Sequence, residues 1–269
     1  MSDQVVTSSG RTITIRRFDA AAIGAVMSRE VANFRTFWKG TAFNSLLDPT
    51  IYLLAFGLGL GSTLIGNVYG VPYVQFVGTG MVATAVIFSS ALPAMFGTFV
   101  KYHFQRTYDA LLATPIDTEE LVTAEALWIA TRSSIFGTFP IIVTFFFGLD
   151  PAWTMLAIPI FCFVTAFGFA SFGIAVAAKA QKIDQFNYVT TTCITPLFLV
   201  AGTFFPISEL PHWAQVIANF NPLYQLVVLV RSACFGFEAE NLMRFAALVF
   251  FALVMWRIAV RFMSQRLID

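Results

Sequence analysis

Apolar residues run along this chain in blocks of roughly membrane length, and polar residues gather in the short intervals between them. A helix needs about 20 largely apolar residues to cross the hydrocarbon core. On that measure spans are predicted at residues 46–65, 73–100, 124–148, 153–178, 188–203 and 242–262. Lipid offers no partner to backbone N–H and C=O groups, so blocks of this length and density read as helices. The predicted fold class is an all-α membrane protein with six transmembrane helices. Residues 1–40 form an N-terminal segment and residues 41–269 the transmembrane domain.

Within the N-terminal segment, Ile23, Val26, Met27, Phe34, Phe37 and Trp38 share approximately one helical face beside Arg29, Arg35 and Lys39. This spacing predicts an amphipathic interface helix lying on the membrane surface, or alternatively an ordinary cytosolic helix.

Two intervals break the simple pattern. The first, residues 101–123, is longer than a passive turn between helices needs. Residues 105–113 predict a short helix with Tyr108, Leu111 and Leu112 on one side and Arg106 and Asp109 on the other, beginning at Gln105 and stopped by Thr114 and Pro115. Asp117 and Glu120 then have the spacing of a capping box. A short, partly apolar helix between two spans suits docking into a groove on a cytosolic partner, with an inert connector as the bland reading. The second interval, residues 204–231, is apolar but broken by Pro206, Pro211 and Pro222. Ser208 is placed to cap a short helix containing Trp213, and Asn221 with Pro222 to start another. Arms this short cannot span the core, so a re-entrant helical hairpin is predicted, with Phe204, Phe205, Pro206, Trp213 and Pro222 at a pathway or gate. A loop on the outer leaflet is the alternative.

Composition agrees with the pattern. Hydrophobic residues make up 58% of the 269 and charged residues 12%, against about 25% charged in soluble domains. The net charge of +1 argues against a nucleic-acid partner. Thirteen of the 16 lysines and arginines fall before residue 40, in the loops after the second and fourth blocks, or at the C-terminal end. By the positive-inside rule both termini are then cytosolic. The first long apolar run follows Lys39, so no cleavable signal peptide is expected.

Candidate chemistry is sparse. Phosphate-loop, metalloprotease and nucleophile-elbow signatures are missing, and His103 and His212 are predicted on opposite sides of the membrane. Cys162, Cys193 and Cys234 have no metal or redox spacing. Glu125 and Arg132 lie two turns apart on one helical face and form a candidate charge pair, with snorkelling or pairing to a neighbouring helix as the other reading of Arg132. Arg231 and Arg244 are the outward-side exceptions, either of which could meet an anionic headgroup or phosphate. Tyr73, Phe76, Phe204, Phe205 and Trp213 are aromatic faces near the predicted path.

Several motifs carry a family resemblance. The run Leu47-Asp-Pro-Thr-Ile-Tyr-Leu53 followed by Gly57-Leu-Gly-Leu-Gly61 resembles the first span of the ABC-2 type permeases. The runs Gly80-Met-Val-Ala-Thr84, Gln105-Arg-Thr-Tyr-Asp-Ala110, Phe169-Ala-Ser171 and Ile194-Thr-Pro-Leu-Phe198 follow in the same order, continuing through Pro206 and Pro211. Together they are most similar to the branch containing the nodulation lipo-oligosaccharide exporter permease, from which Asp48 departs by replacing a glutamate. The resemblance implies a homodimer of permeases in a bacterial cytoplasmic membrane with two ABC ATPase subunits, which would hold the ATP and magnesium. It implies no cofactor on this chain and no enzymatic activity. It also implies that Gln105, Arg106, Tyr108, Asp109, Leu111 and Leu112 form the coupling helix. The implied cargo is a lipid-linked oligosaccharide or glycolipid, with small hydrophobic drugs as the alternative. A membrane anchor or signalling subunit that transports nothing is the rival from another class.

Overall fold

The computed structural model describes residues 4–6, 12–14, 19–36, 38–56, 67–236 and 241–268. A short hairpin, β1 (Gln4–Val6) and β2 (Thr12–Thr14), precedes the helices. Helix α1 (Ala20–Phe34) starts at Asp19, whose carboxylate accepts the N–H of Ala21. Its apolar face buries Ile23 and Val26. The Phe34 ring meets Trp128 and Phe136 edge-on at 5.7 and 5.9 Å. Part of the amphipathic stripe thus packs on this protein's own helices, while Trp38 stays exposed. Helix α2 (Trp38–Leu53) contains Pro49 and continues as a wider turn to Phe56. The remainder of the first predicted span, with the glycine run 57–61, lies outside the described residues, as does Phe37.

A small hairpin, β3 (Asn67–Val68) and β4 (Val71–Pro72), leads into α3 (Tyr73–His103). Its 31 residues give a rod of about 46 Å, longer than the roughly 30 Å core. Helix α4 (Thr107–Leu112) is a single short turn, and α5 (Thr118–Gly137) and α6 (Phe139–Phe145) form one long element broken at Thr138, just before Pro140. A tight turn at Trp153–Ala157 opens α7 (Ile158–Lys179). Helices α8 (Gln185–Val189) and α9 (Thr195–Leu199) are joined through a π-turn at Thr190–Ile194, just before Pro196. The fifth predicted span is thus a helical stretch over 185–199, shorter at its far end than expected. The chain closes with α10 (His212–Asn219), α11 (Pro222–Phe235) and α12 (Asn241–Ile268).

Among the described residues, four helical elements are long and apolar enough to cross a membrane: Tyr73–His103, Thr118–Phe145, Trp153–Lys179 and Asn241–Leu267. Helix α7 is the centre of the bundle and packs against α3, α5, α11 and α12. Small residues permit this proximity: a Cβ added at Gly173 would lie 2.7 Å from the Ala91 carbonyl oxygen on α3. By contrast α12 buries little of its apolar stretch and turns Leu242, Met243, Phe250 and Leu253 outward. With no water-soluble shell over such a surface, these faces belong to lipid or to another membrane helix.

Two expectations are corrected. Ser208 lies in a tight turn, Ile207–Glu209, and α10 begins after Pro211, so Ser208 does not cap it. The second proline ends the turn before a cap can form. The coupling segment is helical only over Thr107–Leu112, because Arg106 adopts a left-handed backbone with φ 49°. Asn221, as predicted, caps α11 by accepting the Leu223 N–H at 3.0 Å, with Pro222 in the first turn.

Candidate functional site: a charge hub and an aromatic cavity

Charges on a mainly apolar bundle need partners, and at one end of α3 they find each other. The Lys101 ammonium donates to Glu30 of α1 at 2.9 Å and to Glu125 of α5 at 3.0 Å. Thr98 Oγ1 donates to the same Glu125 oxygen at 3.1 Å. The other Glu125 oxygen accepts from the Tyr108 hydroxyl of α4. One ammonium and one carboxylate therefore tie together α1, α3, α4 and α5. The position suits Lys101, because the last turn of a helix presents unsatisfied carbonyls and favours a cation. Burial, and then the negative charge of Glu125, hold the Tyr108 phenol well above its usual pKa, so it stays a neutral donor.

A second tie runs beside the hub. Asp117 and Glu120 form the predicted capping box on α5, with the Glu120 carboxylate accepting the Asp117 N–H at 2.9 Å. The other Glu120 oxygen accepts the Asp19 N–H at 2.7 Å, so one side chain caps α5 and anchors the start of α1.

Further along α3, a cavity of about 560 Å³ opens between α2, α3 and α9. Tyr52, Phe88, Phe198 and Phe204 supply aromatic walls, and Ser45 and Thr84 supply hydroxyls. Thr84 Oγ1 is buried and makes no hydrogen bond within the described structure. Phe204 packs against Phe198 at 5.6 Å and Phe56 at 5.2 Å, and its carbonyl accepts from the Tyr73 hydroxyl at 3.1 Å. The cavity is amphipathic, with ring faces and an unsatisfied hydroxyl in one wall.

Residues 21–235 match the family model described as the ABC-2 type transporter. The chain belongs to that family. It is 33% identical over 236 residues to Nodulation protein J of Rhizobium leguminosarum bv. viciae, covering 86% of this chain and 90% of the relative. The Rhizobium meliloti protein of the same name is 32% identical, covering 86% and 89%. The Inner membrane transport permease YadH of Escherichia coli is 25% identical, covering 82% of this chain and 84% of that one. An ABC-2 permease is a multi-pass membrane protein, in keeping with the apolar bundle.

Within this permease the predicted residues divide. Tyr108 is 1% exposed, enclosed by the chain itself rather than free to meet a partner. Leu111 and Leu112 are half-buried against the apolar cluster that includes Ile23, Val26, Tyr108 and Leu121. Gln105, Arg106 and Asp109 face outward, and Arg106 and Asp109 form a loose 3.7 Å pair across exposed side chains. Phe104, 67% exposed beside them, escaped sequence reasoning because it falls in the polar interval just before the predicted start of the short helix at Gln105.

Glu125 and Arg132 are not brought together. Glu125 binds Lys101, while Arg132 donates to the Ser89 carbonyl at 3.3 Å. The reason lies in α3: Pro93 has no N–H to give the carbonyl four residues back, which is Ser89. Arg132 and the Ser133 hydroxyl, at 2.8 Å, fill that vacancy from α5. At the predicted gate, Phe204 reaches the cavity, and Tyr73 and Phe76 are buried. Phe205 and Trp213 face outward, Pro206 is half-buried, and Pro222 serves the start of α11.

Proposed function

We propose that this chain is the permease subunit of an ATP-driven exporter that moves a lipid-linked oligosaccharide or other glycolipid out across the bacterial cytoplasmic membrane. The supporting observation is the cavity beside α3: its aromatic faces suit sugar rings and acyl chains, and Thr84, whose buried hydroxyl has no partner within the described structure, lies in its wall. The name of the Escherichia coli relative, an inner membrane transport permease, supports the transport part of this reading.

In this reading the chain spans the membrane six times with both termini in the cytosol, and α10 with the start of α11 forms the re-entrant hairpin. Two copies pair, and two ATPase subunits carry the ATP and magnesium. The exposed surface around Phe104, Gln105, Arg106 and Asp109 receives the ATPase, and the Lys101 hub passes the movement to α1, α3 and α5.

The test is flipping of a fluorescent undecaprenyl-linked oligosaccharide in proteoliposomes holding the permease and its ATPase. Wild type is expected to translocate it with ATP, and Thr84→Val to do so several-fold more slowly while ATP hydrolysis without cargo stays unchanged. Equal translocation by Thr84→Val, or transport of a hydrophobic dye but no glycolipid, would overturn the cargo assignment.

A further inference from the structure

The end of α3 remote from the Lys101 hub holds a second, smaller cavity, of about 330 Å³, between the Tyr69 turn, α11 and the first turn of α12. Two arginines far apart in sequence line it: Arg231 on α11 and Arg244 on α12. We propose that this pocket binds a phosphate-type oxyanion, with Arg231 as its fixed cation and Arg244 as the second arm. The inference does not depend on the cargo proposed above.

The Arg231 guanidinium is set in place before any ligand arrives. One terminal nitrogen donates to the Phe76 carbonyl at 3.1 Å and to the Gly202 carbonyl at 2.8 Å. The guanidinium also lies 3.6 Å from the centre of the Phe76 ring. These contacts fix its plane, but they are dipoles and a ring face, which leave its full charge in place. Its Nε is buried and has no hydrogen-bond partner in the described structure. Among the described residues, Arg231 forms no ion pair. A cation held in an apolar wall without a counter-charge is costly, and an entering anion would relieve that cost.

Arg244 adds the second half. One of its nitrogens bonds the neutral Gln225 amide oxygen at 2.9 Å, and it too forms no ion pair among the described residues. The Asn241 amide donates to the Ser232 hydroxyl on the same wall, so hydrogen-bonding groups lie between the arginines. Guanidinium forks match tetrahedral oxyanions two bonds at a time, which favours a phosphate over a monatomic anion.

Two sources supply that chemistry, a lipid phosphodiester and free phosphate, and the experiment separates them. The full-length permease, in a neutral detergent and phosphate-free buffer, is melted against increasing dihexanoyl phosphatidylglycerol, dihexanoylglycerol or inorganic phosphate. The expected result is saturable protection by the phosphatidylglycerol but not by the phosphate-free dihexanoylglycerol. Its apparent affinity should fall at least tenfold in Arg244→Gln. Protection by inorganic phosphate at equal potency, lost in the same variant, also upholds the site and assigns it to a free anion. Arg244→Gln is the primary variant because Arg231→Gln also removes bonds that hold Phe76 and Gly202. Arg261→Gln with Arg266→Gln, at the opposite end of the bundle, should bind as wild type. The proposal falls if no probe protects saturably, or if Arg244→Gln binds as wild type. It also falls if the Arg261 and Arg266 changes weaken binding equally. Protection seen only in a Glu238→Gln, Glu240→Gln protein would show that the chain supplies its own counter-charge, and would overturn it too.

Discussion

At Ser89 a single missing N–H decides what a charged residue does. Pro93 orphans the Ser89 carbonyl inside the bundle, and Arg132 and Ser133 reach across from α5 to satisfy it. An unsatisfied buried carbonyl costs about 1–3 kcal/mol; because Ser133 still donates to Ser89 when Arg132 is gone, that loss is expected of Arg132→Met with Ser133→Ala, and a smaller one of Arg132→Met alone. Pro93→Ala restores an N–H to α3, so adding it to the Arg132→Met, Ser133→Ala protein should give a smaller loss than the two changes summed. Additive losses in a double-mutant thermal-melt cycle would refute this account. Lys101 lies at the opposite energetic extreme. Lys101→Met leaves two buried carboxylates facing each other, and a loss of about 3–5 kcal/mol is expected. Tyr108→Phe should be milder and should change the alkaline limb of stability. The folded phenol holds its proton above the ordinary value of 10.0, so its stabilisation is complete below that pH and declines as pH rises past it. Melts from pH 9 upward should show that decline in wild type and a shallower one in Tyr108→Phe. None of this was legible from spacing alone. The two-turn interval from Glu125 to Arg132 is a pattern within one helix, whereas Lys101, Glu30 and Ser89 enter from helices whose approach only packing sets.

Elements were easier to read than contacts. The apolar blocks behind α3, α7 and α12 are long enough that length and hydropathy alone place them, and the capping box at Asp117 and the Asn221 cap are local chemistry that the backbone obeys. Short elements were harder. Six residues of α4 remain helical because the left-handed Arg106 stops it on one side, and its side-chain directions depend on how it lies against α3. That decides where a partner would dock. Tyr108 is buried inward, so the outward group is Phe104, Gln105, Arg106 and Asp109. Arg106→Glu combined with Phe104→Ser is expected to reduce ATPase co-purification at least several-fold while leaving the melting midpoint of the permease alone unchanged. Undiminished co-purification would refute the assignment. A drop in the midpoint comparable to that of Lys101→Met would show that these side chains hold the fold instead. The short helix containing Trp213 forms as α10, with Trp213 69% exposed, but no serine is needed to start it.

At the scale of the whole molecule, base counting predicts an orientation, and packing defines the two ends to which it applies. The Lys101 hub and Arg106 lie at one end of α3, and the Tyr69 turn and α10 at the other, linked by the Tyr69 and Ser208 hydroxyls at 2.6 Å. Reporter fusions after Asp150 should therefore read as external and those after Lys182 as cytosolic; a cytosolic signal at Asp150 would reverse the orientation. The weakly buried α12 and the outward apolar residues of α2 show why the rest stayed hidden from sequence: a lipid-facing residue and one facing a second copy look alike in composition. Helix α3 has a mechanical consequence. It is a rod of about 46 Å with the hub clamped at one tip and the Tyr73 to Phe204 bond at the other. Its weak joint, at Pro93, is splinted from α5 by Arg132 and Ser133. A push on α4 would therefore arrive at Phe204 as displacement rather than being absorbed as bending, and the stiffness of that splint would set how much of the stroke reaches the far side.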